Sequence, residues 1–335
     1  MKPRVLVTGA TGFVGAELCR ELARRGHAVH AFARASSERG VLDGAMVHWR
    51  EGDLRDADSV ERAVADFRAR SGGVRPWVVH SGAVISYRTR DRQLQRAVNV
   101  EGTRHVVDAC RRNDVGRLLH VSSVVAVGVA RGGETLDEDA EFNGAPLRCD
   151  YTDTKRAAEE LALSASGELD VVAVNPGAIF GTGARGPNTL KFLRKLGSGM
   201  PMPFVPPGAL SVVGVEDVVL GIVLALERGA RGRRYLLTES AYESLDLFQL
   251  AAHELGVRPP RRTAPRGLWA VLELGSRAVD PFAPLEMFTP TAIRMLGANF
   301  RFDSSRARRE LGWSPRPFVE VLRATIAWLR ARREL

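Results

Sequence analysis

The chain has 335 residues, 45% of them apolar and 26% charged, three cysteines and a formal net charge of +9. That composition is typical of a soluble globular protein and can bury a sizeable core in one large domain or two closely joined ones. The basic balance does not imply nucleic-acid binding, because the arginines that carry it are scattered rather than clustered with aromatics in a docking motif.

Other classes fall away on local patterns. Cys19, Cys110 and Cys149 have no paired spacing and no Cys or His neighbours of the kind a zinc site needs, so a reducing compartment and no metal are expected. Met1-Lys2-Pro3 runs straight into an apolar strand without the features of a secretory leader, which points to the cytoplasm. The longest apolar run, Val218 to Leu226, is bracketed by Asp217 and Glu227 and is about half the ~20 residues of a membrane span. It is expected as a buried helix.

Along the first two-thirds of the chain, short β-branched runs alternate with amphipathic stretches, which predicts repeated βαβ units around a parallel, doubly wound sheet. Strands are expected at Arg4–Thr8, Ala28–Ala33, Met46–Glu51, Trp77–Ser81, Arg117–Ser122 and Asp170–Asn175, and helices at Gly15–Arg25 and Ser59–Arg70. Residues 1–177 form this nucleotide-binding unit. Beyond Gly177, glycine and proline become dense through Gly181–Gly186 and Met200–Gly208, and a smaller mixed α/β unit is expected over residues 178–335, with later segments returning to the first. A helix at Glu216–Glu227, a strand near Arg234–Thr238, a helix at Leu245–Leu255 and an apolar segment at Gly267–Val279 are assigned to the smaller unit. The last helix spaces Val319, Leu322, Ile326 and Leu329 along one docking face.

The first strand runs into Gly9-Ala10-Thr11-Gly12-Phe13-Val14-Gly15 and then a helix. Glycines there remove the Cβ atoms that would block a pyrophosphate, and the helix N-terminus offers unpaired N–H groups. This is the phosphate-binding loop of a Rossmann-type fold. Such folds that bind NAD place an acidic residue about 20 residues on, at the end of the second strand, to receive the ribose hydroxyls. Here that strand ends Phe32-Ala33-Arg34, and a guanidinium at this point suits a 2′-phosphate, so NADP(H) is favoured over NAD(H). Asp53 and Leu54, closing the third strand, would flank the adenine.

Tyr151-Thr152-Asp153-Thr154-Lys155 sets a phenol and an ammonium four residues apart on one helix face, where the cation favours the phenolate of a general acid–base. Ser122 and Ser123 end the fifth strand at the carboxyl edge of the sheet, and a hydroxyl there can polarise a carbonyl; Ser123 is preferred and Ser122 held in reserve. Asn99, in the stretch Ala97–Thr103, is a candidate support for the lysine.

Thr8–Gly15, Asp53-Leu54, His80-Ser81-Gly82-Ala83, Asn99-Val100-Glu101-Gly102-Thr103, Ser122-Ser123-Val124, the Tyr151/Lys155 pair, Asn175-Pro176-Gly177 and the closing run Asp303, Ala307, Glu310-Leu311-Gly312-Trp313 and Pro315 together resemble the extended short-chain dehydrogenase/reductases of the NAD-dependent epimerase/dehydratase group. The resemblance covers nearly the whole chain. It implies a catalytic triad of Ser123, Tyr151 and Lys155, with Lys155 also holding the nicotinamide ribose. Ser81, Gly82 and Ala83 would line the cofactor, the segment after Pro176 would meet the nicotinamide end, and a homodimer would form through the helices around Glu101–Arg112 and Tyr151–Leu163.

Departures from pattern narrow the reaction. Val124 and Val125 stand where sugar dehydratases carry an acidic pair, and Val174-Asn175-Pro176-Gly177-Ala178-Ile179-Phe180-Gly181 looks more like the dihydroflavonol-reductase and 3β-hydroxysteroid-dehydrogenase branch than the nucleotide-sugar epimerases. The expectation is an NADP(H)-dependent enzyme acting on a ketone, aldehyde or secondary alcohol of an apolar small molecule. The alternatives are a nucleotide-sugar epimerase with tightly held NAD(P) and a non-catalytic cofactor-sensing protein. Phe192, Met200, Met202, Phe204, Leu268, Trp269 and Leu272 are candidate pocket lining, and Tyr87 faces either substrate or solvent. The apolar run Gly267–Val279 would be explained by a lid, by core packing or by a patch resting on a membrane surface.

Overall fold

The computed structural model describes residues 2–183, 188–199, 202–279 and 289–335. The first half follows β1 (Val5–Thr8), α1 (Phe13–Arg24), β2 (Val29–Ala33), β3 (Val47–Glu51), α2 (Ala57–Ala69), β4 (Trp77–His80), α3 (Arg92–Gln95), α4 (Gly102–Arg112), β5 (Arg117–Val121), α5 (Asp150–Ser164) and β6 (Val171–Pro176). The second half adds β7 (Ala178–Phe180), α6 (Asn188–Gly197), β8 (Ala209–Gly214), α7 (Val215–Arg228), β9 (Arg234–Leu237), β10 (Ser240–Glu243), α8 (Ser244–Leu255), α9 (Arg266–Val279), α10 (Pro290–Leu296), β11 (Asn299–Phe300) and α11 (Phe318–Ala331).

Seven parallel strands form the main sheet in the order β3-β2-β1-β4-β5-β6-β9. Helices cover both faces. Leu18 and Leu22 of α1 join Val218, Ile222 and Leu226 of α7 on one side. Val60, Val64 and Phe67 of α2 join Val106, Val107 and Cys110 of α4 on the other. This double cover explains why the central strands read as continuous apolar runs. The connection from β3 crosses over to β4 on the far side of β1, so the strand order reverses beside β1. In open α/β sheets the crevice at the carboxyl ends of such strands is the ligand site.

One assignment from sequence is corrected. The helix at Glu216–Glu227 and the strand near Arg234–Thr238 belong to the main sheet layer rather than to the smaller unit: α7 packs beside α1, and β9 is the seventh strand, with Ala173 opposite Arg234 and Pro176 opposite Leu237. The reason is burial, since Tyr235, Leu236 and Leu237 are fully enclosed. The closing motif pins α7 in place: the Trp313 indole donates to the Asp217 carbonyl at 2.8 Å, and Arg316 pairs with the Asp217 carboxylate at 3.1 Å.

The second sheet centres on β8, which pairs antiparallel with β10 and parallel with β7 and β11. Helices α6, α8 and α11 close an apolar core against it through Leu193, Leu247, Phe318 and Leu329.

Candidate functional site

The glycine loop is shaped by close backbone approach. Gly9 has φ +67°, and a Cβ there would lie 2.7 Å from the backbone of Gly82. A Cβ on Gly15 would meet the Gly9 carbonyl oxygen at 2.1 Å, so both positions accept glycine alone. The Gly12 amide donates to the Gly9 carbonyl at 2.8 Å, which tightens the turn into α1. Gly12 provides no side-chain cap, and no acidic residue occupies the first turn of Phe13, Val14 and Gly15. The N–H groups at this end of α1 therefore lack a side-chain acceptor, as a site that takes a phosphate from outside requires. Thr11 is buried beside the loop.

Arg34 follows β2 with an exposed side chain, close enough to Asp53 for its charge to help hold that carboxyl below its usual range. The larger cause is Arg55, which grips Asp53 at 2.6 Å. Leu54 is buried over Gly82, where an added Cβ would collide with its Cδ1 at 2.6 Å. Ser81 donates its hydroxyl to the Thr8 carbonyl at 2.6 Å and so ties the end of β4 to β1, while Ala83 is exposed. His80 shares hydrogen bonds with Thr8 at 2.7 Å and Thr103 at 3.0 Å, and burial, helped by the Lys155 charge, holds its imidazolium down to about 3. It is a neutral internal strut. The glycine loop and the uncapped start of α1 fit the pyrophosphate of a nicotinamide dinucleotide, with Arg34 and Asp53 standing at the ends of β2 and β3 beside it.

Asn99 lies in a turn of π-helix, Arg96–Glu101, a local widening that often marks functional positions. Its carboxamide clamps the loop after β4 by accepting from the Val84 amide at 2.8 Å and donating to the Val84 carbonyl at 3.0 Å. It also donates to the Thr154 hydroxyl at 3.1 Å. Asn99 is thus joined to the Tyr151/Lys155 helix through Thr154, with no direct bond to Lys155 among the described residues.

Tyr151 and Lys155 lie one turn apart on α5, both almost fully buried. The Lys155 ammonium donates to the Val121 carbonyl at the end of β5 at 2.8 Å. Burial pulls it down from 10.5 to about 8, opposed by the charge of Glu159. Contrary to the lowering expected from the Lys155 cation, burial pushes the Tyr151 phenol up to about 12, against a hydrogen bond from the Ser123 hydroxyl that lowers it. Ser123 has extended backbone, φ −162° and ψ 154°, so its side chain points opposite to that of Ser122. Ser122 is buried, and its oxygen has no partner among the described residues. The serine that meets the phenol is therefore Ser123. The Tyr87 ring stands edge-on to Tyr151 with centroids 6.4 Å apart, and Val124, Val125, Leu147 and Met295 complete an apolar surround.

Glu159 and Arg234, which hold this group together from behind, had no signal in the sequence, although Asn175, the partner of Glu159, lies in one of the motifs. Glu159, one turn beyond Lys155, is 1% exposed and pairs with Arg234 of β9 at 3.0 Å. It also accepts from the Asn175 amide, which donates to the Ser123 carbonyl at 3.0 Å. Strands β5, β6 and β9 and helix α5 are thereby tied at one point behind the reactive side chains. Pro176 is buried at the end of β6.

The residues expected to line a pocket separate. Phe192 and Met202 pack in the core of the second sheet, with Phe192 against Phe248 at 4.6 Å. The Trp269 indole donates to the Ile293 carbonyl at 2.9 Å, whereas Phe204, Leu268 and Leu272 face solvent. None of these belongs to the cluster around Tyr151, which the chain fills with nearer residues. Met200 lies outside the described residues. No helix among the described residues is long and apolar enough to cross a membrane, and no group of three metal-ligating side chains occurs among them.

The model of the NAD dependent epimerase/dehydratase family matches residues 5–237, from β1 through β9. The chain belongs to that family. Family membership makes it an oxidoreductase of the NAD(P)-binding, extended short-chain type, the group that the motifs resemble. Among its relatives, sterol demethylase protein B of Methylococcus capsulatus is 36% identical over 98% of this chain and 98% of that protein. A 3 beta-hydroxysteroid dehydrogenase/Delta 5-->4-isomerase of Mycobacterium tuberculosis is 31% identical over 93% of this chain and 86% of its own length. The crystal structure of gox2253 superposes with a TM-score of 0.85 and 30% identity over all of both chains.

Proposed function

We propose that the protein is an NADP(H)-dependent reductase or dehydrogenase that interconverts a ketone or aldehyde and the corresponding alcohol of an apolar small molecule. The observation that carries this reading is the contact of the Tyr151 phenol with the Ser123 hydroxyl, with the buried Lys155 one turn along the same helix, at the carboxyl edge of β5 and within an apolar surround. When bound, the reduced nicotinamide supplies the hydride for the carbonyl carbon. Tyr151 donates the phenolic proton to the carbonyl oxygen, and Ser123 orients that oxygen by a hydrogen bond. Lys155 balances the phenolate left behind, which then regains a proton from solvent. With its pKa raised to about 12, Tyr151 stands protonated at neutral pH, the form that reduction needs. Arg34 supports the preference for the 2′-phosphate. Relatives named for sterols and steroids support a fused-ring or similarly apolar substrate. A homodimer in the cytoplasm completes the reading.

Absorbance of reduced nicotinamide, followed with apolar ketones and aldehydes and with nucleotide sugars, tests it. Carbonyl-dependent loss of NADPH that disappears in Tyr151→Phe is the expected result. Sugar interconversion with the cofactor unchanged would overturn it in favour of an epimerase.

A further inference from the structure

The helix α9 carries a face with no partner among the described residues. Trp269, Glu273 and Ser276 turn inward, where Glu273 accepts from Arg294 of α10 at 3.0 Å. At 100° per residue, the outward side from Leu274 through Val271, Gly275 and Leu268 to Leu272 contains only apolar residues and glycine. Val271 is 65% exposed, Leu274 63%, Leu272 47% and Leu268 41%. Phe204, itself 42% exposed, precedes Val205, which bridges to Thr263 on the approach to α9. Four large apolar residues side by side on one helix are an unusual surface for a soluble monomer.

The rim of this face is basic. Arg258, Arg261, Arg262 and Arg266 are exposed on the approach to α9 and in its first turn, and none takes part in an ion pair among the described residues. No acid occupies that first turn, so the arginines crowd the positive end of the helix dipole. The one acid on α9, Glu273, is already committed to Arg294 and Arg277. An apolar face bordered by arginines that have no ion-pair partner among the described residues suits a surface that is apolar within and anionic at its boundary. A second copy docked face to face would bring the same arginines together across a two-fold axis, which disfavours that occupant.

We propose that α9 and its arginine approach lie in the surface of an anionic lipid bilayer, with Leu268, Val271, Leu272 and Leu274 entering the acyl boundary. Helix α10 links this face to the reactive group, since Met295 packs in the cluster that contains Tyr151. Bilayer binding is measured apart from carbonyl turnover, so either can fail alone.

The experiment is co-sedimentation of the full chain with vesicles of phosphatidylcholine alone and of phosphatidylcholine mixed with phosphatidylglycerol. Binding to the mixed vesicles, weakened by salt, is the expected result. Leu268→Glu with Leu272→Glu should lower the partition about 100-fold, roughly tenfold per leucine. Arg261→Glu with Arg262→Glu should lower it at least about fivefold per arginine. All four side chains are exposed, so the circular-dichroism melting midpoint should stay at the parent value. No binding of the parent to mixed vesicles, or binding untouched by both variants, overturns the proposal. So does a dimer, without vesicle binding, that the leucine variant splits, which would assign the face to a second copy.

Discussion

Lys155→Met should stabilise the protein at neutral pH while abolishing its chemistry. Lys155 is 3% exposed, and burial lowers the pKa of its ammonium from 10.5 to about 8. A gap of that size corresponds to about 3 kcal/mol at ~1.4 kcal/mol per pH unit. The sign follows from proton counts. Between pH 8 and 10.5 the unfolded chain binds more protons at this site than the folded one, so stability rises with pH across that window. Below it, folding carries the whole cost of the buried charge. Methionine removes that cost but leaves the Val121 carbonyl without its donor, a loss of about 1 kcal/mol. The net gain is about 2 kcal/mol near pH 6.5, or about 3 °C in Tm for a chain of this length. Above pH 10.5 the advantage should vanish and reverse, because only the lost hydrogen bond remains. Urea unfolding of parent and variant, compared in the same buffers at both extremes of pH, measures it. A variant less stable than the parent at both, or a difference independent of pH, would refute the claim that the folded protein carries a destabilising buried ammonium.

Two further substitutions separate roles that the geometry suggests. Arg34→Glu should raise the NADPH Kd by about 100-fold or more, because it replaces a charge-assisted contact with repulsion, and should change NADH binding only a few-fold; equal weakening of both cofactors in titration calorimetry would reduce Arg34 to a surface residue. Glu159→Gln should cost about 2 kcal/mol in urea unfolding by depriving the partly buried Arg234 of its paired charge. The same change withdraws a charge that raises the Lys155 pKa, so the alkaline limb of the pH profile should move to lower pH; an unmoved limb would detach Glu159 from Lys155.

What could be read from the sequence was what local chemistry dictates. The glycine loop was legible because a tight turn against Gly82 leaves no room for a Cβ at Gly9, and β1 and β6 because they are short, nearly continuous apolar runs; β3, Val47–Glu51, mixes His48, Arg50 and Glu51 into a half-buried edge strand. The seventh strand was legible as a strand but not in its place, since the chain leaves the sheet after β6 to build β7, α6 and β8 before returning with β9. Nothing in a four-residue run states which sheet it will join. Strands β7, β10 and β11 went unread because they span only three, four and two residues, and β8 because it follows directly on the glycine- and proline-dense stretch Met200–Gly208.

Within the candidate site the divide is between groups that display their chemistry and groups that receive it from a distant partner. Tyr151 and Lys155 are four residues apart on one helix, so sequence spacing alone juxtaposes them. Glu159 continues the same spacing, yet a glutamate in a helix that also holds Glu160 and Arg156 reads as one more solvated charge. Only Arg234, arriving 75 residues later on β9, makes it an internal anion. The same holds for Ser122 and Ser123, which are chemically identical and separated only by the alternation of an extended chain. Asn99 was found in sequence, but its clamp on Val84 and its bond to Thr154 depend on a π-helical turn that no periodicity announces. A network of this kind couples its members: the Asn175 amide that holds Glu159 also holds the Ser123 carbonyl, so a change in the buried ion pair should be felt at the hydroxyl that meets Tyr151.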